Sequence, residues 1–89
     1  MLGPVPKSVF TEAYAIFLQV LGDARRDAKV TQAELAARLG RPQPFISFVE
    51  SGERRVDVIE FYAIARALEL DPEALFARIA ARLPEHVDI

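Results

Sequence analysis

A chain of 89 residues is one domain at most, able to hold one thin core and with no room for a substrate domain beside a cofactor domain. At 52% apolar and 27% charged it is a folding sequence; lacking cysteine, and with His86 as its one histidine, it excludes a disulfide scaffold, a thiolate metal site and a Ser-His-Asp triad inside the fold. The net charge of −2 argues against nucleic acid when taken whole, yet residues 25–55 carry seven basic and four acidic side chains while the remainder carries four and nine. No cofactor and no metal are implied, and the poor catalytic chemistry points to a binding module and not to an enzyme. The opening MLGPVPKS has no apolar core of signal-peptide length. The longest apolar stretch, Ala13 to Leu21, is interrupted by Gln19 and is too short for a bilayer, so a cytoplasmic protein without membrane contact is expected.

Residues 1–8 hold two prolines and a glycine and read as an extended arm. A first helix is predicted from near Phe10, capped by Ser8 or Thr11, to about Ala28. Phe10, Tyr14, Phe17, Leu21 and Ala24 form its stripe, while Ile16, Leu18 and Val20 lie off it. Thr31-Gln32-Ala33-Glu34 has capping-box spacing and opens a second helix, with Leu35, Ala36 and Leu39 inward and Gly40 as the stop. The third helix begins at Pro42 or Gln43. Pro42 and Pro44 both fall in its first turn, where an amide has no intrahelical partner. Ile46 and Val49 are its buried stripe and Gly52 its stop.

After a loop over residues 53–56, Asp57-Val58-Ile59-Glu60 is a second capping box. It starts a fourth helix to about Leu68 with Phe61, Ile64, Ala65 and Leu68 inward. Asp71-Pro72 caps a fifth helix to about Leu83, with Leu75, Phe76, Ile79 and Leu83 apolar. Pro84 ends it, and residues 85–89 form an acidic tail. Nothing alternates with period two, so the fold class is all-α: a compact five-helix domain over residues 9–84. Tyr14, Phe17, Phe61, Tyr62 and Phe76 are read as core or interface residues. Glu85, His86 and Asp88 fit a frayed tail better than a metal site, having no second shell to orient them.

The stretch over residues 31–52 is two short capped helices joined by a three-residue turn that begins at glycine, a spacing that sets them at a steep angle and lets the second project. With T-Q-x-E-L-A, the Gly40 turn and I-S-x-V-E-S-G, it resembles the helix-turn-helix of the lambda repressor and Cro family, also called the xenobiotic-response-element family. The resemblance covers roughly residues 21–76, including a closing helix pair at 68–75. It implies a DNA-binding domain in which Gln32 meets the DNA backbone. It also implies that Arg25, late in the first helix, pairs with Glu50 at the end of the third to hold the recognition helix to the body.

The residues themselves identify the exposed face. At about 100° per residue, Ile46 and Val49 define the inward direction, and Gln43, Pro44, Ser47 and Phe48 lie opposite, with Phe45 on the flank. These four are the candidate base contacts. Gln43 suits a bidentate pair with adenine, Ser47 either partner, and Pro44 and Phe48 a thymine methyl. Packing against a neighbouring helix or a second subunit is the competing role for Phe45 and Phe48. Gln32, Arg41, Ser51, Arg54 and Arg55 are the candidate phosphate contacts; for each arginine alone the alternative is a solvated surface charge.

The expected function is a sequence-specific binder of double-stranded DNA, a homodimeric transcription repressor reading a rough palindrome in the major groove. The rival is an antitoxin or another protein-interaction module on the same scaffold. Ile16, Leu18, Val20, Ile79, Leu83, Val87 and Ile89 appear surplus to the core of one domain. Either the fifth helix folds back on the first within one chain, or the surplus meets its copy. The second is favoured here, with Ile79, Leu83 and Val87 at the dimer interface.

Overall fold

The structure is a computed structural model that describes residues 11–89, and among these five helices and no strand occur. The extended arm, the Ser8 cap and a helix start at Phe10 lie outside the described residues. The helices are α1 (Glu12–Asp27), α2 (Gln32–Arg38), α3 (Gln43–Ser51), α4 (Val58–Ala67) and α5 (Pro72–Arg82).

Each start has a side-chain or proline device. Thr11 Oγ1 accepts from the Tyr14 amide at 3.1 Å. Thr31 and Asp57 complete reciprocal capping boxes with Glu34 and Glu60, and Asp71 accepts from the Glu73 amide at 3.0 Å. α3 has no side-chain cap. Pro42 occupies the N-cap with φ −68°, and Pro44 fills a first-turn position where a missing N–H does least harm.

Four helix ends reverse the chain in the same way. A residue in the left-handed region is followed by one whose amide reaches back five residues: Val30 to the Arg25 carbonyl (3.2 Å), Arg41 to Ala36 (2.9 Å), Glu53 to Phe48 (3.0 Å) and Leu70 to Ala65 (2.9 Å). The left-handed residues are Lys29 (φ 63°), Gly40 (φ 70°), Gly52 (φ 86°) and Glu69 (φ 62°). A Cβ at Gly40 would meet nothing within 4 Å, so Gly40→Ala tests backbone strain alone. We expect it to lower stability by about 1–2 kcal/mol; an unchanged urea midpoint would show that the turn does not hold this conformation.

The core is built where the helices cross. α1 packs against both α3 and α5, α2 against α3 and α4, and α4 against α5. α1 therefore buries two faces. Leu18 and Val20, expected to be surplus, are buried, and Val20 joins Leu21, Ala24, Ile46, Ile64 and Leu75 in one cluster. Ile79 is corrected in the same way. It is 1% exposed and belongs to this chain's own core, so it has no surface to offer a second copy. Leu83 packs on the core's margin, Val87 is half-buried and Ile89 is fully exposed. Arg82 closes the α5–α1 contact by donating to Gln19 Oε1 at 2.9 Å.

Candidate nucleic-acid interface

α3 lies on the body through Ile46 and Val49, both almost fully buried. That leaves its opposite side outward, with Gln43, Pro44 and Phe48 exposed and Ser47 half-buried. The buried Arg25 fixes how α3 sits. Its Nε donates to Glu50 Oε2 at 2.6 Å, one terminal nitrogen to Glu50 Oε1 at 3.0 Å and the other to the Val30 carbonyl at 2.9 Å. Each of the three guanidinium nitrogens therefore has a partner within the fold, as a buried charge requires.

Glu50 does not end the chain of bonds. Its Oε1 also accepts from Gln32 Nε2 at 2.9 Å, and Gln32 Oε1 accepts from Gln43 Nε2 at 3.0 Å. A relay thus runs from the core at Arg25, through Glu50 and Gln32, to the exposed first turn of α3. It settles the orientation of both amides. Gln32 must turn its nitrogen to the carboxylate, so its oxygen faces Gln43, which must in turn donate.

The start of α3 offers little to a phosphate, because Pro42 and Pro44 have no N–H and the Phe45 amide is closed on the Pro42 carbonyl at 3.0 Å. Further along the same helix the two serines lie against carbonyls of their own helix backbone. Ser47 Oγ lies 3.4 Å from the Pro44 carbonyl, and Ser51 Oγ donates to the Phe48 carbonyl at 3.2 Å or to Glu53 at 3.1 Å.

Phe45, on the flank, packs against the core margin with the Arg41 and Arg54 guanidinium carbons 4.9 and 4.8 Å from its ring centroid. Arg54 also makes a two-pronged pair with Glu60 at 3.0 and 2.8 Å. The Arg54 hydrogen bonds, with help from the Asp57 amide, hold the Glu60 carboxyl below the usual range, and Glu60 raises Arg54 in return. Arg55 lies over the Tyr14 ring at 4.2 Å. Arg41 is exposed in the turn.

A helix-turn-helix family profile matches residues 21–75, well over half of the chain. The chain belongs to the helix-turn-helix family of the Cro/C1 type, the XRE family. A solved structure, an XRE-family like protein from Pseudomonas syringae pv. tomato str. DC3000, is 47% identical and superposes with a TM-score of 0.78, over 88% of this chain and 95% of that one. No curated protein matches. Membership makes the chain a DNA-binding regulator in general, on a fold typically without enzymatic activity. Among the described residues no helix is long and apolar enough to cross a membrane.

Within this helix-turn-helix, the structure brings two sets of candidate residues together. Gln32, Gln43, Glu50 and Arg25 form one bonded series, while Arg41 and Arg54 meet at Phe45. Two roles carry no signal in the sequence. Glu60, a cap by its spacing, also anchors Arg54. Arg38 donates to the Ala67 carbonyl at 2.7 Å, tying the end of α2 to the end of α4. Neither contact has helical spacing, so no pattern within one helix could reveal it.

Proposed function

We propose that this regulator is a homodimeric repressor that reads a palindromic operator, with the first turn of α3 in the major groove. The observation that carries the reading is the relay ending at Gln43. With one of its two amide hydrogens given to Gln32, Gln43 keeps one N–H and its carbonyl oxygen. One donor beside one acceptor is the set that adenine's N7 and N6 edge requires, whereas guanine presents two acceptors. Pro44 and Phe48 on the same face suit thymine methyls. Gln32, Arg41, Ser51 and Arg55 are the proposed backbone contacts. Arg54, with its charge answered by Glu60, contributes less than a solvated arginine would.

Selection from a random-sequence duplex pool tests this. It should enrich a two-fold repeat with an adenine in each half-site. Gln43→Ala should then weaken binding to that duplex by about 1–3 kcal/mol, with the melting temperature unchanged because Gln43 is exposed. Equal affinity of mutant and wild type would remove Gln43 from base reading. Enrichment of no sequence at all would overturn the operator itself.

A further inference from the structure

Among the described residues, and apart from Phe48 on α3 and Ile89, the large apolar side chains left in water are on α4 and α5. Val58 is 74% exposed, Ile59 71%, Tyr62 53% and Phe76 53%. On α4, Val58, Ile59, Tyr62 and Arg66 fall within about 100° of one another around the helix, so they share one face. Val58, Phe61, Tyr62, Pro72, Glu73 and Phe76 line a shallow groove of about 390 Å³ that continues this face onto α5. We propose that this face receives a second copy of the chain, with the two α4 helices antiparallel across a two-fold axis at Tyr62. The inference rests on the homodimer reading above and supplies its surface, in place of the Ile79, Leu83 and Val87 surface expected from the sequence.

Three properties favour a second copy as the occupant. The first is self-complementary charge. Arg66 lies at the C-terminal end of α4, its guanidinium 5.8 Å from the Tyr62 ring centroid. Exposed Asp57 stands at the N-terminal end, and Glu73 lines the same groove as Val58. With Tyr62 on the axis, Val58 of one copy lies opposite Arg66 of the other. Each Arg66 then meets Asp57 and Glu73 of its counterpart, twice per dimer, as an isologous interface requires.

The second property is helix polarity, since antiparallel neighbours set opposite ends of their dipoles side by side. The third is area. Tyr62 and Phe76, each 53% exposed, offer about half of the 150–250 Å² that an aromatic side chain can bury, and with Val58 and Ile59 they form an apolar centre for a standard interface of about 800 Å² per partner. Arg66, Asp57 and Glu73 supply the polar rim.

Light scattering of the full chain at micromolar concentration tests the proposal. Wild type should give twice the 9.9 kDa of one chain. Tyr62→Asp should give a single-chain mass with unchanged helical circular dichroism, since Tyr62 is half exposed. Arg66→Glu and Glu73→Arg should each raise the dimer dissociation constant several-fold, and the two together should restore it; failure to restore would overturn the antiparallel register. Val87→Asp should leave the dimer intact. If Tyr62→Asp stays dimeric while Val87→Asp dissociates, this face is overturned and the homodimer reading stands. A monomeric wild type overturns both and assigns the face to a different protein, while adenine reading by Gln43 remains to be judged on the selected duplex.

Discussion

Alanine at Arg25 should lower stability by about 3 kcal/mol and weaken DNA binding at the same time. Removing one member of a buried pair leaves the other charge without its partner, at about 3–5 kcal/mol. The lower end applies here because Glu50 would keep the Gln32 amide bond. The Val30 carbonyl loses its donor as well. For a domain whose total stability is about 5–15 kcal/mol, that is a large share. Binding suffers because Glu50 positions Gln32, and Gln32 positions Gln43. Removing both charges should cost less than the two single losses added together. Urea titrations of the two singles and the double measure the coupling, and strictly additive losses would show that the pair carries no interaction energy.

The second large effect is at Ile79. Ile79→Ala should destabilise the fold by about 2–5 kcal/mol through lost burial and the cavity left behind. Ile79→Asp should prevent folding, because it sets a carboxylate among Val20, Leu21, Ile64 and Leu75 with no partner. Thermal melts followed by circular dichroism distinguish this from a surface role. A soluble Ile79→Asp chain that melts cooperatively near the wild-type temperature would mean that α5 does not pack on α1 as described. The contrast with Tyr62→Asp, two aspartates in neighbouring helices with opposite expected outcomes, separates core from interface.

The helices were legible because their boundaries are written in local chemistry. Thr31 with Glu34, Asp57 with Glu60, Asp71 before Pro72, and the glycines at 40 and 52 each act over a few residues, where sequence distance and spatial distance agree. The reversals at Lys29 and Glu69 had no such sign, since a charged residue does not advertise a left-handed conformation. The burial of Leu18, Val20 and Ile79 is hidden from the sequence for another reason. Periodicity reports which residues share a face but not how many neighbours a helix has, and α1 has two. The site divides similarly. The four outward residues of α3 follow from rotation about one axis. The Gln32–Gln43 and Arg54–Glu60 bonds join separate elements, and only the packing of those elements brings them within reach.

Two prolines in the entrance of α3 have a thermodynamic consequence. A nine-residue helix is marginal in isolation, and a segment of that length often acquires its shape only on contact with a partner. Pro42 and Pro44 restrict this backbone before any contact is made, and they narrow the unfolded ensemble as well. The heat-capacity change on DNA binding should therefore track the apolar area of Pro44 and Phe48 removed from water, without the larger change that accompanies coupled folding. On the proposed reading, α3 meets the groove already shaped, its ordering completed when the chain folds.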